Sequence, residues 1–404
     1  MAVEKVDILV GIPSYNNAKT IGHVVKAVDA GLAKYFPAKK AVIVNSDGGS
    51  ADGTPDIVRN ATVDHKSILL SHPITMAHRI TTPYHGIPGK GSAIRTIFQM
   101  ASDMGADACA VVDSDLRSIT PEWIELLLSP VIKEGFDFVA PLYDRHKFDG
   151  TITNSIVYPM TRALYGKRIR QPIGGEFGFS GKLAEFYLKQ DVWGTDVARF
   201  GIDIWMTTEA VAHDFKVCQS FLGAKIHDPK DPGSDLSDML VQVVGSLFDL
   251  TERHPDGWKE TKGSEDVPTF GFRYHVGLEH VNVNVGRMLN IFREGLNNMN
   301  EIWLDVIGAG DFGEVKNLGT LSDEEFRFPL KLWTRIIYDY AIAYHKKKLP
   351  PQHLIKSLVP LYLGKTASFV MEVTEESQWE AEAEIEKLCL EFEENKEYLV
   401  NSWK

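Results

Sequence analysis

Cysteine is scarce: the 404 residues hold three, Cys109, Cys218 and Cys389, far apart in the chain. Such spacing offers neither a disulfide framework nor a zinc motif, and the apolar, strand-like surroundings of the first two mark them as reduced core thiols. Positive charge is also in deficit. There are 43 Lys and Arg against 55 Asp and Glu, a formal net charge of -12, which excludes the broad basic face that nucleic acid requires. No basic n-region precedes the first apolar run, and no apolar run approaches the length of a membrane span, so a cytoplasmic protein with no membrane partner is expected. The first strand is not followed by G-x-G-x-x-G, which argues against a dinucleotide-binding domain. The glycine- and arginine-rich N-terminal signature of a nucleotidyltransferase is missing, as are internal repeats and low-complexity tails.

What is present is ordinary globular material, 44% hydrophobic and 24% charged. The length exceeds what one core usually supports, so a main domain over residues 1–250 and a helical C-terminal region over 251–404 are expected. Apolar strand-like runs at 6–13, 41–44, 67–70, 108–112 and 138–143 alternate with helical spacing, as at 20–32 and 93–100. That alternation predicts an α/β fold, a mostly parallel nucleotide-binding sheet flanked by helices. Ligands bind such sheets beyond the carboxyl ends of the strands.

The strand at 108–112 ends there in Asp113-Ser114-Asp115, two hard oxygen ligands at i, i+2 that suit a divalent cation beside a nucleotide, although a plain strand-end turn has the same composition. Pro88-Gly89-Lys90-Gly91 opens a helix, placing a cation and free N–H groups where a diphosphate could sit; the spacing is too short for a Walker A loop. The small polar loop from Asn45 to Thr54 includes Asp47, and Asp and Ser there could hydrogen-bond a base or ribose. Gly174-Gly175-Glu176 fits a wall where backbone approaches a sugar, or a β-bulge. Asp203 opens a helix and could be a helix-start acid; His227 follows the last sheet strand, in register with the acid pair, as a candidate metal ligand.

Taken in order, Ile12-Pro13-Ser14-Tyr15-Asn16, the Asn45-to-Thr54 loop, Pro88-Gly89-Lys90-Gly91, Asp113-Ser114-Asp115, Gln171-Pro172-Ile173-Gly174-Gly175-Glu176, Gly201-Ile202-Asp203 and His227 resemble the nucleotide-sugar glycosyltransferases of the GT-A fold. Within these, the chain is similar to the retaining enzymes that glycosylate glycerate or 3-phosphoglycerate, the mannosylglycerate, glucosylglycerate and glucosyl-3-phosphoglycerate synthases. The resemblance implies a GT-A sheet, an NDP-sugar donor carrying GDP or UDP with glucose or mannose, and transfer to the 2-hydroxyl of D-glycerate. It implies Mg2+ or Mn2+ held by Asp115 and His227, with Asp113 and Ser114 beside it. Pro13, Tyr15, Asn16 and Asp47 would line the base and ribose pocket, and Lys90 would face the diphosphate. Gly174, Gly175, Glu176 and Asp203 would sit against the sugar and acceptor hydroxyl. Gly150, Thr151, Ile152 and Thr153 would hold the acceptor carboxylate, and a homo-oligomer is implied. Of the two routes to retention, a covalent carboxylate intermediate at Glu176 or Asp203 and front-face attack, the resemblance favours the second, with Asp203 orienting the hydroxyl.

The acceptor loop has Thr151 where the phosphoglycerate enzymes carry arginine, and Pro229 where they carry asparagine, which favours D-glycerate. Arg145, His146 and Lys147 are near enough in sequence to substitute a cation. Three other readings stay open: 3-phosphoglycerate as acceptor, a glycosyltransferase acting on polysaccharide or lipid, and a non-catalytic sugar-nucleotide-binding protein.

Overall fold

β1 (Ile8–Ser14) is buried at all seven positions, as an apolar run covered on both faces should be. It lies at the centre of an eight-stranded sheet with β2 (Ala41–Asp47), β3 (His78–Pro83), β4 (Ala108–Val111), β5 (Phe138–Asp144), β6 (Phe177–Ser180), β7 (Val217–Ala224) and β8 (Thr269–Phe270), in the order β3-β2-β1-β4-β6-β5-β7-β8. All pairings are parallel except those of β6, which runs antiparallel to both β4 and β5. The computed structural model describes residues 5–61, 78–84, 86–226, 237–273, 277–278 and 281–404. The strand expected at 67–70 and the histidine at 227 lie outside these residues. Among them, the third strand is His78–Pro83, in the stretch that reads from sequence as a long loop.

Helices in chain order are α1 (Ile21–Tyr35), α2 (Thr54–Asn60), α3 (Lys90–Asp103), α4 (Pro121–Glu134), α5 (Tyr158–Tyr165), α6 (Gly181–Leu188) and α7 (Ile202–Ala212). On one face of the sheet Val24 and Val28 of α1 and Ile124 and Leu127 of α4 pack onto Ile8, Val10 and Ile12 in a single apolar cluster. On the other, Phe98 of α3 meets Phe179 of β6 edge-on at 5.4 Å and Tyr187 of α6 at 5.3 Å. This mostly parallel sheet between helix layers is the GT-A-like arrangement expected. Cys109 and Cys218 are buried and free, as their apolar context implied, and so is Cys389.

The chain divides into two compact units, one of Met1–Asp144, Ile169–Asp228 and Val267–Leu278, the other of Arg145–Arg168, Pro229–Asp266 and Glu279–Lys404. The division is interleaved rather than a cut near 250. Within the second unit Arg162 of α5 binds glutamates far along the chain, which ties residues 145–168 to its C-terminal helices.

The second unit is helical: α8 (Ser237–Arg253), α9 (Pro255–Glu260), α10 (Val285–Asn298), α11 (Asn300–Thr320), α12 (Leu330–His345), α13 (Pro351–Val373), α14 (Gln378–Glu394) and α15 (Lys396–Ser402). Gly308, with the non-helical φ 74° and ψ 167°, breaks α11 into two helical segments. The stripe of Ile385, Leu388 and Phe392 on α14, at helical spacing, is buried. Before α5, the acceptor loop named at Thr151 is already helical from that residue and passes through a π turn over Thr153–Val157.

Candidate active site

The antiparallel course of β6 gathers the site. Phe177, its first residue, pairs with Val111 near the end of β4, so Gly174-Gly175-Glu176 enters the sheet at the edge where β4 delivers Asp113. The N-termini of α3 and α7 bring Lys90 and Asp203 to the same place, and β7 ends just before Lys225. Five side chains form a continuous row. Lys90 Nζ lies 3.1 Å from Asp203 Oδ2 and 2.8 Å from Asp113 Oδ1. Lys225 Nζ lies 3.1 Å from Asp113 Oδ2, 2.9 Å from Glu176 and 2.7 Å from the carbonyl oxygen of Gly174. The Tyr143 hydroxyl donates to Glu176.

Gly175 is required here twice over: its φ is +95°, and a Cβ on it would come within 2.5 Å of Asp113 Oδ2. The glycine pair is therefore a turn against which the acid packs.

Charge is distributed unevenly along the row. Burial disfavours an ionised Asp113, but Lys90 and Lys225 on either side overcome it and hold the carboxyl well below its ordinary range. Burial likewise opposes the Lys90 ammonium, and Asp113 and Asp203 outweigh it, raising that group above the usual lysine value. Glu176, fully buried, is pushed up to about 7 by desolvation, which Lys225 offsets only in part and Asp113 reinforces. Asp203 is also raised, by burial first. One of its oxygens is held by Lys90; the other, Oδ1, is buried with no partner among the described residues. A buried, unsatisfied acceptor is costly unless a ligand donates to it.

At the ends of β1 and β2 the structure builds a polar loop. Asp47 Oδ1 accepts from Ser14 Oγ and Ser50 Oγ, at 3.0 and 2.7 Å, and Oδ2 from the backbone N–H groups of Gly49 and Ser50, at 2.9 and 2.8 Å. Its acceptor capacity is filled, so Asp47 shapes the loop rather than offering a free oxygen to a ribose, as sequence had suggested. Asn16 spans to the same loop, accepting from the N–H of Ala51 and donating its own N–H to Ser50 Oγ. Pro13 is buried within β1, whereas the Tyr15 ring is 63% exposed and can stack on a planar base. Tyr84 was not anticipated. Its hydroxyl accepts from the N–H of Gly89 and lies 3.1 Å from where a Cβ on Gly48 would sit, linking this loop to the Lys90 helix start. Ser114 donates to Asn17 and is buried.

Asp115 is half-buried and has no hydrogen-bond or ion-pair partner among the described residues. A hard oxygen donor left open at a strand end fits a divalent cation; His227, the other expected ligand, lies outside the described residues.

Gly150, Thr151, Ile152 and Thr153 belong to the second unit. Thr151 turns inward, its hydroxyl 2.5 Å from that of Tyr362. Lys147, considered as a substitute cation, is spent on the end of α13, where it donates to the carbonyl oxygens of Val373, Thr374 and Glu376 at 2.6 to 2.8 Å. Arg145 remains beside the Gly150 turn: its Nη1 is 3.6 Å from Asp149 and 3.4 Å from the position of a Cβ on Gly150.

Residues 9–184 match the model of Glycosyl transferase family 2. Among curated proteins, the chain is 25% identical over 268 residues to glucosyl-3-phosphoglycerate synthase of Petrotoga mobilis, covering 62% of this chain and 76% of that one. It is 31% identical over 128 residues to the enzyme of the same name from Persephonella marina, covering 28% of this chain and 32% of that one. Among solved structures it is similar to glucosyl-3-phosphoglycerate synthase from Mycobacterium tuberculosis in complex with Mn2+, UDP and glucosyl-3-phosphoglycerate. There the TM-score is 0.46 at 19% identity, over 68% of this chain and 89% of that one.

Proposed function

We propose that the chain is a retaining glucosyltransferase that moves glucose from a nucleoside diphosphate donor, UDP- or GDP-linked, to the 2-hydroxyl of a glycerate-type acceptor. The observation that carries this is Asp203: one carboxylate oxygen is fixed by Lys90 and the other is buried and open. That geometry suits a group that accepts a hydrogen bond from a sugar or acceptor hydroxyl and holds it in line for reaction. Lys90 uses two of its three N–H donors on Asp113 and Asp203, leaving one for a diphosphate oxygen as leaving-group charge develops. A divalent cation, Mg2+ or Mn2+, held by Asp115 and His227, would stabilise the same charge. Tyr15 would meet the base.

Glu176 is completely buried, with Lys225 and Tyr143 on its oxygens, so the geometry favours a supporting role over that of nucleophile. Front-face attack, with the leaving oxygen taking the acceptor proton, is the route proposed.

Gly150, Thr151, Ile152 and Thr153 are kept as acceptor-recognising residues, with one change in emphasis. The case for free D-glycerate rested on missing cations, yet Arg145 stands at this turn and the curated relatives carry the name of a phosphoglycerate enzyme. The phosphorylated acceptor is at least as well supported as the free acid. Mannose as the transferred sugar has no such support. A homo-oligomeric state is proposed through the helical unit, on which Trp379 and Leu390 are exposed.

The test is product mass from UDP- and GDP-glucose and -mannose against 3-phosphoglycerate and D-glycerate, with and without EDTA. Glucosylated product is expected, abolished by chelator, and Asp203→Asn should lower kcat about 100-fold or more. A glycosyl adduct trapped on Asp203, or full turnover in excess EDTA, would refute the mechanism; no product from any pair would refute the reaction.

A further inference from the structure

The two lysines of the row differ in what they have left to give. Lys90 commits two donors; Lys225 commits all three, to Gly174 O, Asp113 Oδ2 and the Glu176 carboxylate, each within 3.1 Å, with a side chain only 6% exposed. An ammonium with no spare N–H makes no bond to a phosphate without first abandoning one of these. Its three partners come from two places, Asp113 just past β4 and the turn before β6, which supplies both the Gly174 carbonyl and the Glu176 carboxyl that the Tyr143 hydroxyl also engages. The contact to Gly174 O matters most for geometry, because the next residue, Gly175, is the one packed against Asp113 at left-handed φ.

We infer that Lys225 is a positioning residue: it pins the Gly174-Gly175-Glu176 turn to Asp113 and so fixes the wall of the donor-sugar pocket and the orientation of the acid, while Lys90 alone faces the diphosphate. The inference rests on the proposed sugar-nucleotide reaction and goes beyond it by dividing two neighbouring lysines between ligand contact and scaffold. Removing the Lys225 ammonium leaves Glu176 buried beside Asp113 without its cation, and the turn is then free to move away from the sugar.

The experiment compares Lys90→Met, Lys225→Met and the double variant Lys225→Met/Glu176→Gln, each checked for folding by circular dichroism. Binding of the donor's nucleoside diphosphate with Mn2+ is measured by calorimetry, and kcat and KM are taken for the NDP-glucose that wild type uses. Lys225→Met is expected to lower kcat about 30-fold or more while nucleotide affinity stays within about threefold; Lys90→Met should weaken nucleotide affinity about tenfold. Adding Glu176→Gln should recover about fivefold or more of the kcat lost in Lys225→Met, since the amide offers two N–H donors to the turn where the neutral acid left by the lysine's removal offers one. If Lys225→Met does not fold, the double variant, which removes both charges of the pair, carries the comparison with Lys90→Met. Loss of nucleotide affinity equal to that of Lys90→Met, an unchanged kcat, or no recovery in the double variant overturns the assignment. If wild type turns over none of the donors, the reaction itself has failed, and the nucleotide-binding contrast alone then decides the division between the lysines.

Discussion

Asp113 lies between two ammonium groups and Glu176 at the end of the row, so of these two buried acids it is Glu176 that keeps a proton near neutrality. The folded protein holds that proton between the ordinary value of 4.5 and about 7, whereas the unfolded chain has already released it. Glu176 therefore adds stability that is complete below 4.5 and is lost as pH rises through 7. Glu176→Gln, which keeps the shape and removes the titration, should flatten this slope. The stability difference between wild type and variant, from denaturant melts at pH 5, 6, 7 and 8, should shift against wild type by up to about 3 kcal/mol. A difference constant with pH would show that Glu176 does not titrate there. Lys90, Asp113, Glu176 and Asp203 were legible in the sequence because each stands beside glycine or at the junction of an apolar run with a polar loop. Lys225 was not. A lysine after a strand looks like a solvated end, and its partners converge on it only through the antiparallel course of β6, which local pattern does not disclose. Asp47 shows the reverse error, since an acid in a polar loop suggests a ligand contact until its four donors are counted.

Elements in the helical unit are joined by a few buried charges. Arg162 of α5 is fully buried and makes a fork to Glu386, at 2.5 and 2.8 Å, and a bond from Nε to Glu393 at 2.6 Å, both on α14. The 3.6-residue spacing of Ile385, Leu388 and Phe392 disclosed which face of α14 is covered, but nothing local disclosed that an arginine more than two hundred residues earlier meets it. Arg162→Met should cost about 3 kcal/mol, toward the low end for a broken buried pair because the Glu386 side chain is 46% exposed and partly solvated. Adding Glu393→Gln should return part of that loss, as its carboxylate is the better buried of the two. A thermal melt of each variant reads this; equal Tm values for the single and double variants would mean that the loss lies in packing around Arg162 and not in the stranded charge.

At the scale of the whole molecule, the alternation of strand and helix gave the sheet, whereas the interleaving of the two units depends on contacts between residues far apart in sequence, which periodicity does not encode. Net charge acts at this scale too. The chain carries -12, and the proposed donor and phosphorylated acceptor are both anions, so the long-range field would oppose their approach even where a local cation such as Lys90 would attract the donor at short range. Salt separates the two effects, because the Debye length falls to about 10 Å at 0.1 M and screens the distant charges well before contacts inside a pocket. With 3-phosphoglycerate as the varied substrate, kcat/KM should rise about two- to fivefold between 10 and 150 mM NaCl, while D-glycerate, with less charge to repel, should respond less. Viscosity and metal are held constant across the series. A fall in kcat/KM with salt for both acceptors would mean that the local cations, and not the acidic surface, govern how these anions arrive.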